Sequence, residues 1–185
     1  VRVSAHARCP VAVVPDSDTG LETGRRDGGR PRVVIGLDGS VGSETALRFA
    51  LGEAALRGGE LVALHALEVP RGIDGTQLEP AIDTSTQESW ARNARNHILA
   101  RVRGARRAHT GDVPVTVVVV PEQAAHALLD RSDADLIVVG SRGRTRVAGL
   151  LLGSVSQSVL QHARIPVVVV PSPRGEHHSS PQHGD

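Results

Sequence analysis

No lysine, methionine or tyrosine occurs among these 185 residues, which hold one phenylalanine (Phe49), one tryptophan (Trp90) and one cysteine (Cys9). Each shortage closes a route. Without lysine, a phosphate loop ending in Gly-Lys-Ser/Thr cannot be built. Two aromatic side chains cannot make a stacking platform for single-stranded nucleic acid, so the core and any base pocket must be made from Val, Leu, Ala and Ile. A lone cysteine forms no internal disulfide, and neither HExxH nor a cysteine-rich metal set is present. No apolar run approaches the ~18 residues that span a bilayer, and the N-terminus lacks the apolar core of a secretory signal. Cytoplasm is the expected location. The 21 basic residues, all arginine, against 20 acidic ones leave a net charge of +1, too small for a general attraction to nucleic acid or membrane.

What the chain does have is a composition, 39% apolar and 22% charged, suited to one globular core plus tails. It also contains an internal repeat. The segment from His6 to Pro15 (HARCPVAVVP) matches His162 to Pro171 (HARIPVVVVP) at eight of ten positions, with an offset of 156. A period of that size is about one domain. Residues 1–15 are therefore expected to be the closing helix end and last strand of a preceding homologous domain, as in a tandem protein truncated at its N-terminus. The strand Pro10 to Pro15 is expected either to pair with the edge strand Pro166 to Pro171 that it copies or to mediate association between chains. Residues 16–31, rich in Gly, Asp, Thr and Arg, read as a flexible linker. Residues 32–171 form the domain. Residues 172–185 read as a disordered tail, in which His177, His178 and His183 have no fixed geometry to hold a metal.

Within the domain, short apolar runs alternate with helical patterns. Strands are expected at Val33 to Leu37, Glu60 to Leu67, Val115 to Val120, Leu136 to Val139 and Val167 to Val170. Helices are expected from Ser43 to Arg57, from a capping box at Ser85 and Glu88, across Ala124 to Leu129, and from Ser154. Strands separated by helices give right-handed crossovers, hence a Rossmann-like open parallel α/β sheet with helices on both faces. Ligands bind such sheets beyond the carboxyl ends of the strands, where strand order reverses.

That edge carries the informative motif: Gly140-Ser141-Arg142-Gly143, nine residues, then Gly153-Ser154. Glycines let backbone N–H groups approach a ligand closely, and the open N–H groups of a helix start favour an anion. Turn formation and ordinary helix capping are the plain alternative. Asp38, before Gly39-Ser40, fits either a ligand contact or a turn that accepts backbone N–H groups. Arg144 and Arg146 suit a solvated loop. The arginines at 101, 103, 106 and 107 suit the end of a helix and its dipole, and His162 and His6 suit helix capping. His65 suits packing beside the pocket.

VVIGLDGS near the start, ADLIVVGSRGRTRVAGLLLGSVSQSVLQHARIPVVVVP near the end, and the glycine spacing together resemble universal stress proteins of the ATP-binding kind, over nearly all of residues 32–171. The resemblance implies five parallel strands in the order 3-2-1-4-5 and dimerisation, between chains or tandem copies, through the last strand, Val167 to Val170. It implies ATP as ligand, with Asp38 by the adenosine, Gly140 and Gly143 by the ribose and phosphates, and Gly153 and Ser154 by the phosphates. Ser141, Arg142 and Ser156 are further candidates. A Mg2+ ion would be held mainly by the phosphates and leave little trace in sequence. One departure is Val119-Val120-Pro121, where the family often has Gly-x-Pro, so a Cβ at Val119 is expected to narrow the adenine side. The leading function is a nucleotide-dependent regulatory module in a stress response. The alternatives are a slow ATP hydrolase or phosphotransferase, and a dimerisation domain that binds nothing.

Overall fold

A computed structural model describes residues 2–15, 29–67, 84–108, 111–131, 133–143 and 152–172. Most of the expected linker, the tail beyond Ser172, Arg144 and Arg146 lie outside the described residues. The elements in chain order are α1 (Arg2–His6), β1 (Val11–Val13), β2 (Arg32–Gly36), α2 (Val41–Leu56), β3 (Glu60–Ala66), α3 (Thr84–Arg106), β4 (Val115–Val120), α4 (Ala124–Leu129), β5 (Leu136–Gly140), α5 (Ser154–His162) and β6 (Val167–Val170).

One six-stranded sheet has the order β1-β6-β5-β2-β3-β4. From β2 to β6 this is the expected parallel 3-2-1-4-5 arrangement. The expected count of five strands is corrected to six, because β1 adds an antiparallel strand to the outer edge of β6. Strand order reverses at β2, which has β3 on one side and β5 on the other.

Most of the strands are Val- and Ile-rich runs because both faces of the sheet are covered. Val33, Ile35, Val138 and Val168 face a cluster with Ala46, Leu47, Ala50 and Leu51 of α2 and Ile98 and Val102 of α3. The alternate residues Val34, Ile137, Val139 and Val169 face Ala127 and Leu128 of α4 and Val159 of α5. Such alternation is the period-two pleat of a strand, so the sheet is the middle layer of three.

Helix α2 starts at Val41, two residues before the expected Ser43. Ser40 is its N-cap, and the Ser40 hydroxyl oxygen accepts the Ser43 N–H at 3.1 Å. Gly58, with φ of +60°, turns the chain after that helix, a conformation glycine adopts without steric cost. At the amino ends of the strands, Arg32 donates to Glu60 at 2.6 Å and also pairs with Asp133. The Glu60 hydrogen bond, with Asp133 adding to it, holds the Arg32 guanidinium above its ordinary range against the opposing effect of burial.

Ser4 in α1 is buried, and its hydroxyl has no hydrogen-bond partner among the described residues. A buried unsatisfied hydroxyl costs ~1–3 kcal/mol. Ser4→Ala is accordingly expected to stabilise the protein by about 1 kcal/mol, or ~2–4 °C in a calorimetric melt.

Candidate functional site

The carboxyl ends of β2 and β5 lie side by side, since Ile35 pairs with Val138, and two loops meet above them. The first begins at Leu37, whose carbonyl accepts a hydrogen bond from His65 Nδ1 at 2.6 Å. Gly39 follows with φ of +83°, a left-handed turn that reverses the chain into α2. Asp38, just before it, uses one carboxylate oxygen to accept the Ser40 N–H at 2.9 Å. The turn role expected as the alternative for Asp38 is therefore real.

The other oxygen points at the second loop. A Cβ on Gly143 would lie 2.7 Å from Asp38 Oδ2, so a side chain there would displace either the carboxylate or the loop. Ser141 fixes this loop from three directions. Its N–H donates to the Val170 carbonyl at 2.7 Å and its carbonyl accepts the Gly153 N–H at 2.8 Å. Its buried hydroxyl accepts the Ser172 N–H at 3.0 Å. Gly140 sits against Gly42 of α2, where an added Cβ would be 3.3 Å from backbone.

Gly153, the N-cap of α5, has ordinary extended dihedrals (φ −70°, ψ 153°) and no side-chain cap on the turn that follows. A Cβ there would meet Gly143 N at 3.5 Å and Arg142 Cα at 3.6 Å, which are normal contacts. Gly143 is thus held between the Asp38 carboxylate and the start of α5. Ser154 is exposed at that start, and Arg142 is exposed beside it. Ser156 is buried and donates to the Gly140 carbonyl at 2.6 Å. Asp38, Gly140, Arg142, Gly143, Gly153 and Ser154 come together, while the hydroxyls of Ser141 and Ser156 hold the loop's own backbone.

Asp38 also borders a cleft of about 380 Å³ with Gly39, His65, Asn93, Ala94, His97 and Ile98. That volume lies within the ~300–1,000 Å³ of small-ligand sites. Asn93 and His97 are the residues that the motifs did not point to. They flank Ala94 and Ile98 of the α3 stripe, so only the packing of α3 over the β2 loop reveals them. Val119 pairs with His65 across β3 and β4 but packs against the core cluster, so it is not among the cleft residues. Arg101 reaches His97 at 3.0 Å and Glu44 at 3.7 Å, and Arg106 reaches Asp112 and the Val113 carbonyl. His162 Nδ1 lies 2.9 Å from the Ser158 carbonyl, as its place at a helix end predicts.

The universal stress protein family model matches residues 29–171, which contain both loops and five of the six strands. The chain belongs to the universal stress protein family. Among its relatives, the universal stress protein Rv2623 of Mycobacterium tuberculosis is 39% identical over 165 residues, covering 89% of this chain and 52% of that protein. The universal stress protein Mb2028c of Mycobacterium bovis is 40% identical over 164 residues, covering 88% and 52%. This universal stress protein chain spans about half the length of the curated relatives it matches.

Solved structures agree on the fold. The protein UspA of Lactobacillus plantarum superposes with a TM-score of 0.64 at 21% identity, over 77% of this chain and 98% of that one. A universal stress protein of Archaeoglobus fulgidus covers 94% of this chain with 55% of its own length, at a TM-score of 0.57 and 23% identity. A universal stress protein crystallised in complex with cAMP has a TM-score of 0.55 and 26% identity over 78% of this chain and 99% of that one. Among the described residues, no helix is long and apolar enough to cross a membrane.

Proposed function

We propose that the chain is a nucleotide-binding module, with ATP as its ligand, whose occupancy regulates association in a stress response. The observation that carries the reading is Gly153. Its backbone is unstrained and, among the described residues, a side chain there would meet only ordinary contacts, so none of them requires glycine at this position. Close approach of a ligand to the Gly143 amide and the first turn of α5 explains the missing Cβ.

In this reading the phosphates lie against the Gly143 amide and the open N–H groups at Ser154, with the exposed Arg142 beside them. Asp38 holds the ribose at the junction of cradle and cleft, and the adenine enters the cleft between His65 and α3. Ser141 and Ser156 act by fixing the loop. Among the described residues no group of three or more His, Cys, Asp or Glu is placed to hold a metal. A Mg2+ ion would accordingly be held mainly by phosphate oxygens. Pairing through the last strand, Val167 to Val170, belongs to the same proposal. The cAMP complex of the neighbouring structure supports an adenine nucleotide as the ligand class.

A thermal-shift series with ATP, ADP and AMP tests this. At 100 times its dissociation constant a ligand stabilises by about 2.7 kcal/mol, or about 5–10 °C for a chain of this size. The expected order is ATP above ADP above AMP. Gly153→Ala is expected to melt within about 1 kcal/mol of the parent without ligand and to lose most of the ATP shift. A parent chain with no shift in millimolar ATP leaves the dimerisation reading. Phosphate release that disappears with Gly153→Ala would instead indicate hydrolysis.

A further inference from the structure

The cleft beside Asp38 holds two imidazoles whose protonation is decided by their neighbours. His97 Nε2 stands 3.0 Å from Arg101 Nε. A guanidinium only donates, so that ring nitrogen accepts, the ring is uncharged and its hydrogen sits on Nδ1. On the other wall, His65 Nδ1 faces the Leu37 carbonyl at 2.6 Å, and a carbonyl only accepts. His65 therefore carries a hydrogen on Nδ1 and, in the uncharged ring, leaves Nε2 as an acceptor. All three of His65, Asn93 and His97 line the cleft. Among the described residues, His65 Nε2, His97 Nδ1 and the Asn93 amide have no partner.

The cleft thus offers an uncharged donor, an uncharged acceptor and an amide that is both. Such a set suits the edge of a base, since adenine presents an N7 acceptor beside an N6 donor. Arg101 keeps the set as it is. Its Nη1 lies 3.7 Å from Glu44 Oε2 of α2, and its Nη2 lies 4.0 Å from where a Cβ of Gly39 would be, so the side chain is held against the turn that carries Asp38. A proton on His97 Nε2 would aim one N–H at another and set a second cation beside the guanidinium. The two side chains would then part, and the ring would leave its place in the cleft. The other titratable groups around this pair are Asp38 of the β2 loop, His65 of β3 and Glu44 of α2. Arg101 is the one that bonds the ring nitrogen itself.

We propose that Arg101 is a positioning residue for the base, acting through His97, and that nucleotide binding is thereby linked to a proton. The cleft takes the base while His97 is uncharged and gives it up as His97 gains a proton. The inference rests on the proposed entry of adenine between His65 and α3, and it adds what controls that site. Its sign follows from linkage. A ligand that holds the uncharged ring competes with the proton, so affinity is full at the alkaline end of the range in which histidine changes charge and falls on acidification.

The experiment is a calorimetric titration with ATP at steps from about pH 8 to about pH 5, the range in which histidine changes charge, on the full chain and on full-length His97→Gln. Glutamine keeps an uncharged donor and does not titrate. The terminal phosphate of ATP gains a proton in the same range, but it does so with both proteins, and the quantity read is the difference between the two profiles. The parent is expected to lose about tenfold more affinity than the variant, the effect of one linked proton. Arg101→Met is expected to weaken binding about tenfold at the alkaline end. In a His97→Ala background the same change is expected to have no further effect, and an equal loss in both backgrounds overturns the positioning role. NMR of the imidazole nitrogens reads the ring without nucleotide. The His97 hydrogen is expected on Nδ1 in the parent and no longer fixed there in Arg101→Met, and a parent with that hydrogen on Nε2 overturns the inference. Two failures are distinguishable. ATP binding with superimposable profiles for the parent and His97→Gln overturns the proton linkage alone, whereas a parent that binds no ATP at any pH overturns the nucleotide reading beneath it.

Discussion

Gly143→Val is expected to lower ATP affinity at least ~100-fold, about 2.7 kcal/mol, while the protein stays folded. The first added carbon would lie 2.7 Å from Asp38 Oδ2, well inside van der Waals contact. The carboxylate cannot simply swing away. Its other oxygen accepts the Ser40 N–H at 2.9 Å, and the Ser40 hydroxyl caps α2 through Ser43. Either this turn is disturbed or residues 141–143 move outward, and both outcomes fill the space between Asp38 and α5. The sheet core is remote from the change, so the stability cost is that of local overpacking, about 1–3 kcal/mol. Calorimetric titration and a melt on the same sample separate the two effects. A valine variant that binds ATP as the parent does would remove this loop from the account.

Gly42→Val is expected to damage stability and binding together. Gly42 is buried in the first turn of α2, where a Cβ would run into the Ser172 hydroxyl and lie 2.9 Å from the Arg142 carbonyl. Valine gains a few tenths of a kcal/mol in helix propensity over glycine. Overpacking costs about 1–3 kcal/mol and decides the sign. Because the nearest backbone atom belongs to Arg142, relief comes by pushing the loop that carries Gly143. A lower melting temperature combined with a smaller ATP shift is the expected signature, measured by the same titration and melt. Loss of stability with an unchanged dissociation constant would show that the loop does not transmit the strain.

Much of the fold was legible because its strands are buried on both faces. Val115–Val120 and Val167–Val170 could be bounded at both ends, since a β-branched run bordered by Pro has few other uses. The start of α2 was not, because Gly42 conceals a turn that the Ser40 cap makes helical. The sixth strand was legible in the sequence as a repeat expected to pair with the edge strand it copies, and the sheet adds its antiparallel register. In the site, the glycine motif could be read because glycine records a need of the backbone. Asn93 and His97 could not, because their approach to Asp38 depends on how α3 crosses the sheet. Ser141 and Ser156 show the opposite limit. A hydroxyl in a motif reads the same whether it faces a ligand or, as here, holds a neighbouring backbone group.

The central claim is that a nucleotide's phosphates sit where Gly143 meets the first turn of α5. An amide-resolved NMR titration of the full chain with ATP tests it most directly. The account predicts saturable shifts at Gly143, Gly153 and Ser154, accompanied by Asp38 and Gly39. Saturable binding that left those residues still and moved another surface would contradict it.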